Sequence, residues 1–145
     1  MKVMLKTDPQ RSALMGRVRQ KKTESEEAVA RALRRNGFAY RRNVRSLPGS
    51  PDFANKTRRW AIFVNGCFWH HHRNCERGTM PKRNRIFWES KFVTNRKRDA
   101  ANIRALRANG YNTIIIWECE CRSEKRLAQR LNRISDSQSS RNLVV

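Results

Sequence analysis

Trp60-Ala61-Ile62-Phe63-Val64 is an unbroken apolar run, and Tyr111 to Trp117 contains a second, Ile114-Ile115-Ile116. A strand with one wet face alternates apolar and polar residues. A run without alternation reads as a strand covered on both faces. Two such strands need helices above and below, which makes the chain an α/β sandwich: a mixed central sheet with helices on both faces. Ser25 to Asn36 carries Val29, Ala30 and Leu33 as an apolar stripe, with Gly37 where a C-terminal cap belongs. Arg83 to Ala108 reads as a long helix closed by Gly110, with Trp88, Phe92, Ile103 and Leu106 apolar. Arg122 to Ile134 places Leu127, Leu131 and Ile134 on one helical face. Phe38 to Arg42 alternates and suits a strand. Ser46 to Pro51 is a turn, Phe53 opens another short strand, and Asn55 to Arg58 is a polar hairpin connection. Residues 1–10 are expected to form a mobile basic arm and 11–134 a single domain. The Ser/Asn-rich stretch 135–145 is expected to be a disordered tail.

Lys and Arg number 33 against 12 Asp and Glu, a net charge of +21 on 145 residues. Such an excess opposes compaction by self-repulsion, and a polyanionic partner accounts for it. The cations run along the whole chain, so this is not a basic tail on a neutral body. Nucleic acid fits better than an anionic membrane, because no long apolar or strongly amphipathic surface helix accompanies the charge. A small non-catalytic ribosomal protein would share this composition, so the motifs must decide. No signal peptide or transmembrane segment is visible, which implies a reducing cytoplasmic location. There Cys67, Cys75, Cys119 and Cys121 are expected as thiols or metal ligands rather than disulfides.

All three histidines of the chain stand together in Asn65-Gly66-Cys67-Phe68-Trp69-His70-His71-His72-Arg73-Asn74-Cys75. Thiolates and imidazoles at these spacings suit tetrahedral zinc, with Cys67, His72, Cys75 and Cys119 as the ligand set. A remote Cys119 at the end of the second buried strand would pin the loop to the sheet. Cys121 is an alternative, since residues two apart on a strand share a face. His70 is either a group for acid–base work near neutral pH or a packing histidine beside the metal. Asp52 sits at a turn-to-strand entry in Ser50-Pro51-Asp52-Phe53. Such a carboxylate can hold a divalent cation on a phosphate, though Pro-Asp is also ordinary turn chemistry. Nucleases of the PD…(D/E)xK pattern place a carboxylate and a lysine on the next strand; here that strand offers Val64-Asn65-Gly66. Glu26 falls on the inward stripe of the first helix, with Glu27 able to pair with Arg31. Glu26 either supports an active centre or closes a capping box with Thr23. Phe68 and Trp69, together in a polar loop, and Trp88, among Lys82, Arg83, Arg85 and Lys91, suit wedging between base pairs. Core packing is the alternative, above all for Trp88.

Leu47-Pro48-Gly49-Ser50-Pro51-Asp52-Phe53, Phe63 with Gly66-Cys67-Phe68-Trp69-His70-His71-His72, Phe87-Trp88, Asn95, Arg98-Asp99 and Trp117-Glu118-Cys119 resemble the very short patch repair (Vsr) endonucleases. The resemblance spans roughly Arg11 to Ile134. It implies a restriction-endonuclease-like α/β fold with a structural zinc. It also implies magnesium-dependent nicking of double-stranded DNA 5′ to the T of a T:G mismatch, the product of 5-methylcytosine deamination. By motif, Asp52 would hold magnesium with the Val64 carbonyl, His70 would be catalytic, and Glu26 matches the N-terminal glutamate. Cys67, His72, Cys75 and Cys119 match the zinc set. Phe68, Trp69 and Trp88 match the aromatics that enter the duplex. Val64-Asn65 stands where the well-known form has Thr-His: Val64 still offers a carbonyl, whereas Asn65 donates a hydrogen bond but carries no proton. One extra residue separates His72 from Cys75. The expected state is a monomer in the bacterial cytoplasm, at the nucleoid when acting, with mismatch-repair proteins as candidate partners. Two other readings are a restriction-type nuclease without mismatch selectivity and a non-catalytic zinc-stapled nucleic-acid-binding module.

Overall fold

The computed structural model describes residues 24–68, 72, 75 and 78–142, with the backbone alone for 135–142. The two apolar runs become adjacent parallel strands. β1 (Arg41–Arg42), β2 (Phe53–Asn55), β3 (Trp60–Asn65) and β4 (Asn112–Trp117) lie side by side in chain order. β1–β2 and β2–β3 are antiparallel, and β3–β4 is parallel with Ile62 opposite Ile114 and Asn65 opposite Trp117. A parallel pair needs a long crossover, and α2 (Arg85–Ala108) provides it.

The sheet is sandwiched. On one face α1 (residues 24–35) and α3 (Glu124–Asn142) bring Val29, Leu33, Leu127, Leu131 and Ile134 onto Phe53, Trp60, Ile62, Ile114 and Ile116. On the other, Leu106 of α2 meets Ala54 and Ala61, with Val44 beside them. The mixed sheet with helices on both faces is the architecture that the continuous runs require. Gly37 closes α1 in the left-handed region, at φ +76°.

Several boundaries differ from the sequence reading. The strand expected over Phe38 to Arg42 shrinks to Arg41–Arg42. Phe38 and Tyr40 instead set their rings edge-on against Trp60 and Phe53, at 6.1 and 5.3 Å, so the segment packs on the sheet without joining its ladder. α2 begins at Arg85 because Asn84 takes a left-handed conformation, φ 55°. α3 runs on to Asn142, where the sequence reading ends the helix at Ile134. Residues 135–142 contain neither Pro nor Gly, so nothing in them breaks a helix already anchored by Leu127, Leu131 and Ile134. The expected arm, 1–10, lies outside the described residues. Among the described residues no helix is long and apolar enough to cross a membrane.

Candidate active site and metal centre

β3 leads directly into the loop that carries Cys67, His72 and Cys75. Two residues beyond its end comes Cys67, fully buried. The His72 N–H donates to the Cys67 carbonyl at 2.9 Å, folding the loop back on itself. Gly78 then passes so close to the His72 backbone that a Cβ on it would lie 2.2 Å from the His72 carbonyl oxygen. Cys119 arrives from the far end of β4. The ligand atoms of Cys67, His72, Cys75 and Cys119 all lie within 4.8 Å of one another. His72 Nδ1 is 3.7 Å from Cys67 Sγ and 3.6 Å from Cys119 Sγ. Tetrahedral zinc bonds of roughly 2.0–2.3 Å imply ligand–ligand separations of about 3.5–3.8 Å, so this set can close on one ion. Burial pushes the Cys67 and Cys119 thiols up and the His72 imidazole down. The imidazole is thus held neutral, as a ligand must be, and the thiols shed their protons when a cation binds.

Cys119 and Cys121 do not share a face, contrary to the strand argument. Both lie in a short 3-10 turn, Glu118–Arg122, where three residues make one revolution and positions two apart diverge. Cys119 therefore meets the loop. Cys121 packs on the α1/α3 core, its thiol pushed up to about 12 by burial and directed at the Trp117 carbonyl at 3.5 Å.

Asp52 is carried by a tight turn. Val44 N–H donates to the Pro51 carbonyl, Leu47 N–H to Val44, and Ser50 N–H to Leu47, at 3.0–3.2 Å. Gly49 and Ser50 are both left-handed, at φ +75° and +49°. A Cβ on Gly49 would meet the Asn102 side chain of α2 at 2.8 Å, so the turn lies directly on that helix. The Asp52 carboxylate accepts the Val64 N–H at 2.7 Å. It thereby faces the backbone of β3 three residues before Cys67. One carboxylate beside a backbone segment fits magnesium, which keeps most of its waters and takes few protein oxygens. Among the described residues the Cys/His set is the only group of three or more metal-ligating side chains, so Asp52 does not stand in a carboxylate cluster.

Glu26 is half-buried on α1, and Ser25 is the more deeply inserted at 6% exposure. The inward stripe of Val29, Ala30 and Leu33 stands as read, and Ser25 rather than Glu26 is the buried residue at its N-terminal end. Glu27 pairs with Arg42 at 2.7 Å. Arg31 was the expected partner, but β1 brings an arginine from across the fold. Asn65 is buried at the end of β3. Trp88, expected to face DNA, is only 3% exposed. It packs with Phe68 and Phe87, each at 5.4 Å, and with Phe92 at 5.8 Å. Phe68 is half-buried in that cluster. His70 and Trp69 lie outside the described residues, as does Thr23 of the expected capping box.

The sequence profile of the family described as DNA mismatch endonuclease Vsr matches residues 4–77. The chain belongs to the Vsr family of DNA mismatch endonucleases. It is 40% identical over 126 residues to type II nicking enzyme V.XorIIP of Xanthomonas oryzae pv. oryzae, which is 87% of this chain and 92% of that protein. DNA mismatch endonuclease Vsr of Escherichia coli is 38% identical over 117 residues, 81% of this chain and 74% of that protein. Type II nicking enzyme V.NmeAIP of Neisseria meningitidis is 36% identical over 128 residues, 88% of this chain and 91% of that protein. This Vsr-family protein is therefore a DNA endonuclease, which excludes the non-catalytic binding module.

The Vsr-family site contains residues that the sequence reading did not single out. Trp117 stacks on His72, ring centroids 4.0 Å apart and planes 8° from parallel. Glu120 is buried beside the same loop, and Asn102 meets the turn that carries Asp52. Trp117 was visible only as part of a Trp-Glu-Cys match. Nothing in residue type or spacing marks a tryptophan as the neighbour of a histidine 45 positions earlier.

Proposed function

We propose that this endonuclease nicks double-stranded DNA 5′ to the T of a T:G mismatch left by 5-methylcytosine deamination, using magnesium. The reading is carried by the Asp52 carboxylate hydrogen-bonded to Val64 N–H on the strand that runs into the Cys/His loop. Hydrolysis of a phosphodiester needs an anionic group to hold a cation against the phosphate, a group to take a proton from water, and a rigid frame for both. Asp52, with the adjacent Val64 carbonyl, would hold magnesium, which polarises the phosphate and lowers the pKa of water. Asn65 would donate a hydrogen bond towards the phosphate. His70 would take the proton from the attacking water, and Glu26 would support the centre from α1. Zinc, held by Cys67, His72, Cys75 and Cys119, would fix the loop that carries His70 and the aromatics Phe68 and Trp69.

Mismatch selectivity would follow from deformability. A T:G pair stacks and pairs less firmly than a matched pair, so inserting an aromatic costs less there. Phe68, Trp69 and Trp88 are proposed to supply that wedge. Trp88 and Phe68 would have to leave their closed cluster to do so, and the duplex step would replace the ring contacts they lose. The enzyme is proposed to act as a monomer at the bacterial nucleoid, with mismatch-repair proteins as partners. The names of its relatives as nicking enzymes support single-strand cleavage.

Nicking of end-labelled matched and T:G duplexes, with and without magnesium, tests the reading. Asp52→Asn is expected to reduce nicking by roughly a thousandfold or more while DNA affinity stays within a fewfold. Full activity of that variant removes Asp52 from the mechanism. Equal cutting of matched and mismatched DNA leaves a nuclease without mismatch selectivity.

A further inference from the structure

The turn that delivers Cys119 also carries Glu120, a carboxylate only 7% exposed. A buried carboxylate is costly unless both oxygens are engaged. Here both are. Oε1 accepts the Trp117 N–H at 3.2 Å. Oε2 faces Arg130 Nε at 3.2 Å and Arg126 Nε at 3.8 Å. Arg130 also donates, through Nη2, to the Ile115 carbonyl. α3 is thus tied through one buried ion pair to the last residues of β4. The residue held at the end of this tie is Trp117, whose ring lies face to face with the His72 imidazole at 4.0 Å. His72 directs Nδ1 at Cys67 and Cys119. Its ring also lines an open pocket of about 460 Å³ with Glu120, Arg126 and Arg130, so the connected residues border one space.

We propose that Trp117 and Glu120 are positioning residues of the metal centre, through which α3 holds the plane of the His72 imidazole and sets how tightly the metal is retained. α3 supplies none of the four ligand atoms. An imidazole on a loop has two soft torsions, and a metal ligand must hold its nitrogen to within a few tenths of an ångström. Stacking on a tryptophan whose own backbone is anchored by Glu120 removes that freedom before the metal arrives. Groups that orient a ligand without touching the ion govern metal affinity in this way. The inference rests on the metal reading of the Cys/His set.

The test uses the full chain loaded with zinc, or with cobalt for its visible ligand-field bands. Trp117→Leu is expected to surrender zinc to a chromophoric chelator about 10–100-fold more readily than the native chain. Trp117→Phe, which keeps a stacking ring, should restore retention to within about threefold, and Glu120→Gln should weaken it by about tenfold. The cobalt bands should shift in Trp117→Leu and return in Trp117→Phe. Metal-free melting should change less than zinc-loaded melting, because a packing role would lower both alike. Equal retention in Leu and Phe variants, or metal-free melting that falls as far as the loaded form, overturns the proposal. If Trp117→Leu does not fold, Glu120→Gln decides alone, and native retention in that variant overturns it. A native chain that takes up no zinc overturns the metal reading itself, before any variant is compared.

Discussion

On one face of the sheet, α1 and α3 press a layer of aliphatic side chains onto Phe53, Trp60, Ile62, Ile114 and Ile116. On the other face, α2 reaches the sheet core through Leu106, while Trp88 and Phe92 turn towards Phe68 in the Cys/His loop. The α2 face also holds the approach of Asn102 to Gly49 in the turn that carries Asp52. The two faces thus divide the work. The aliphatic layer of α1 and α3 supplies burial, which is non-directional and insensitive to small shifts; the polar contacts of α3 with Glu120 lie outside that layer. The α2 face supplies placement, in which a shift of an ångström moves a reacting group out of register. It follows that damage to the first should lower stability and spare turnover, and damage to the second should lower turnover by more than its cost in stability accounts for.

Metal removal should have the largest effect. Chelation is expected to loosen the end of β3, the 3-10 turn and the N-terminal half of α2, while amides of the α1/α3 layer keep their protection from hydrogen exchange. Uniform loss of protection would dissolve the distinction between the faces. The metal-free form should also be sensitive to alkali. Burial raises Cys67 and Cys119 above the ordinary thiol value of 9.0, so their stabilising share is full below that pH. It is lost as the pH rises past it, because the unfolded chain ionises first. Thermal melts of loaded and metal-free protein from neutral to alkaline pH check the sign; only the metal-free curve should fall for this reason.

Leu131→Ala, at a position 1% exposed in the α1/α3 layer, should cost about 2–5 kcal/mol in urea denaturation. Nicking per folded molecule should be unchanged at a temperature where the variant is native. A comparable loss of turnover would show that this layer also positions the site.

Gly49→Ala should cost about 1–3 kcal/mol, from its left-handed φ and the contact with Asn102. Its effect on nicking should exceed that share, because the strain falls on the turn that presents Asp52 to Val64. An activity loss no greater than that of Leu131→Ala at matched folded fraction would sink the positional role of the turn.

Cys121→Ser should be the mildest, at about 1 kcal/mol, with zinc content unaltered. Loss of zinc in that variant would contradict the geometry that turns Cys121 to the core and Cys119 to the loop.

The apolar runs at Trp60 to Val64 and Ile114 to Ile116 determined the central strands, because a stretch without alternation has no other way to be satisfied in water. The Cys67, His72, Cys75 and Cys119 set was also legible, since the residue types themselves state a preference for a metal. Long-range geometry was not legible. That Cys119 joins the Cys/His cluster and Cys121 does not depends on a 3-10 turn following β4 rather than a continued strand. That Glu27 pairs with Arg42 depends on β1 lying beside α1. Core packing was one of two readings open for Trp88, and Phe68 arriving from another element is what its burial adds to that choice. Local pattern reports what a residue needs from its surroundings: burial, charge neutralisation, a cation. Which distant atom meets that need is decided only when the sheet register and the packing of α2 and α3 bring particular side chains within contact distance.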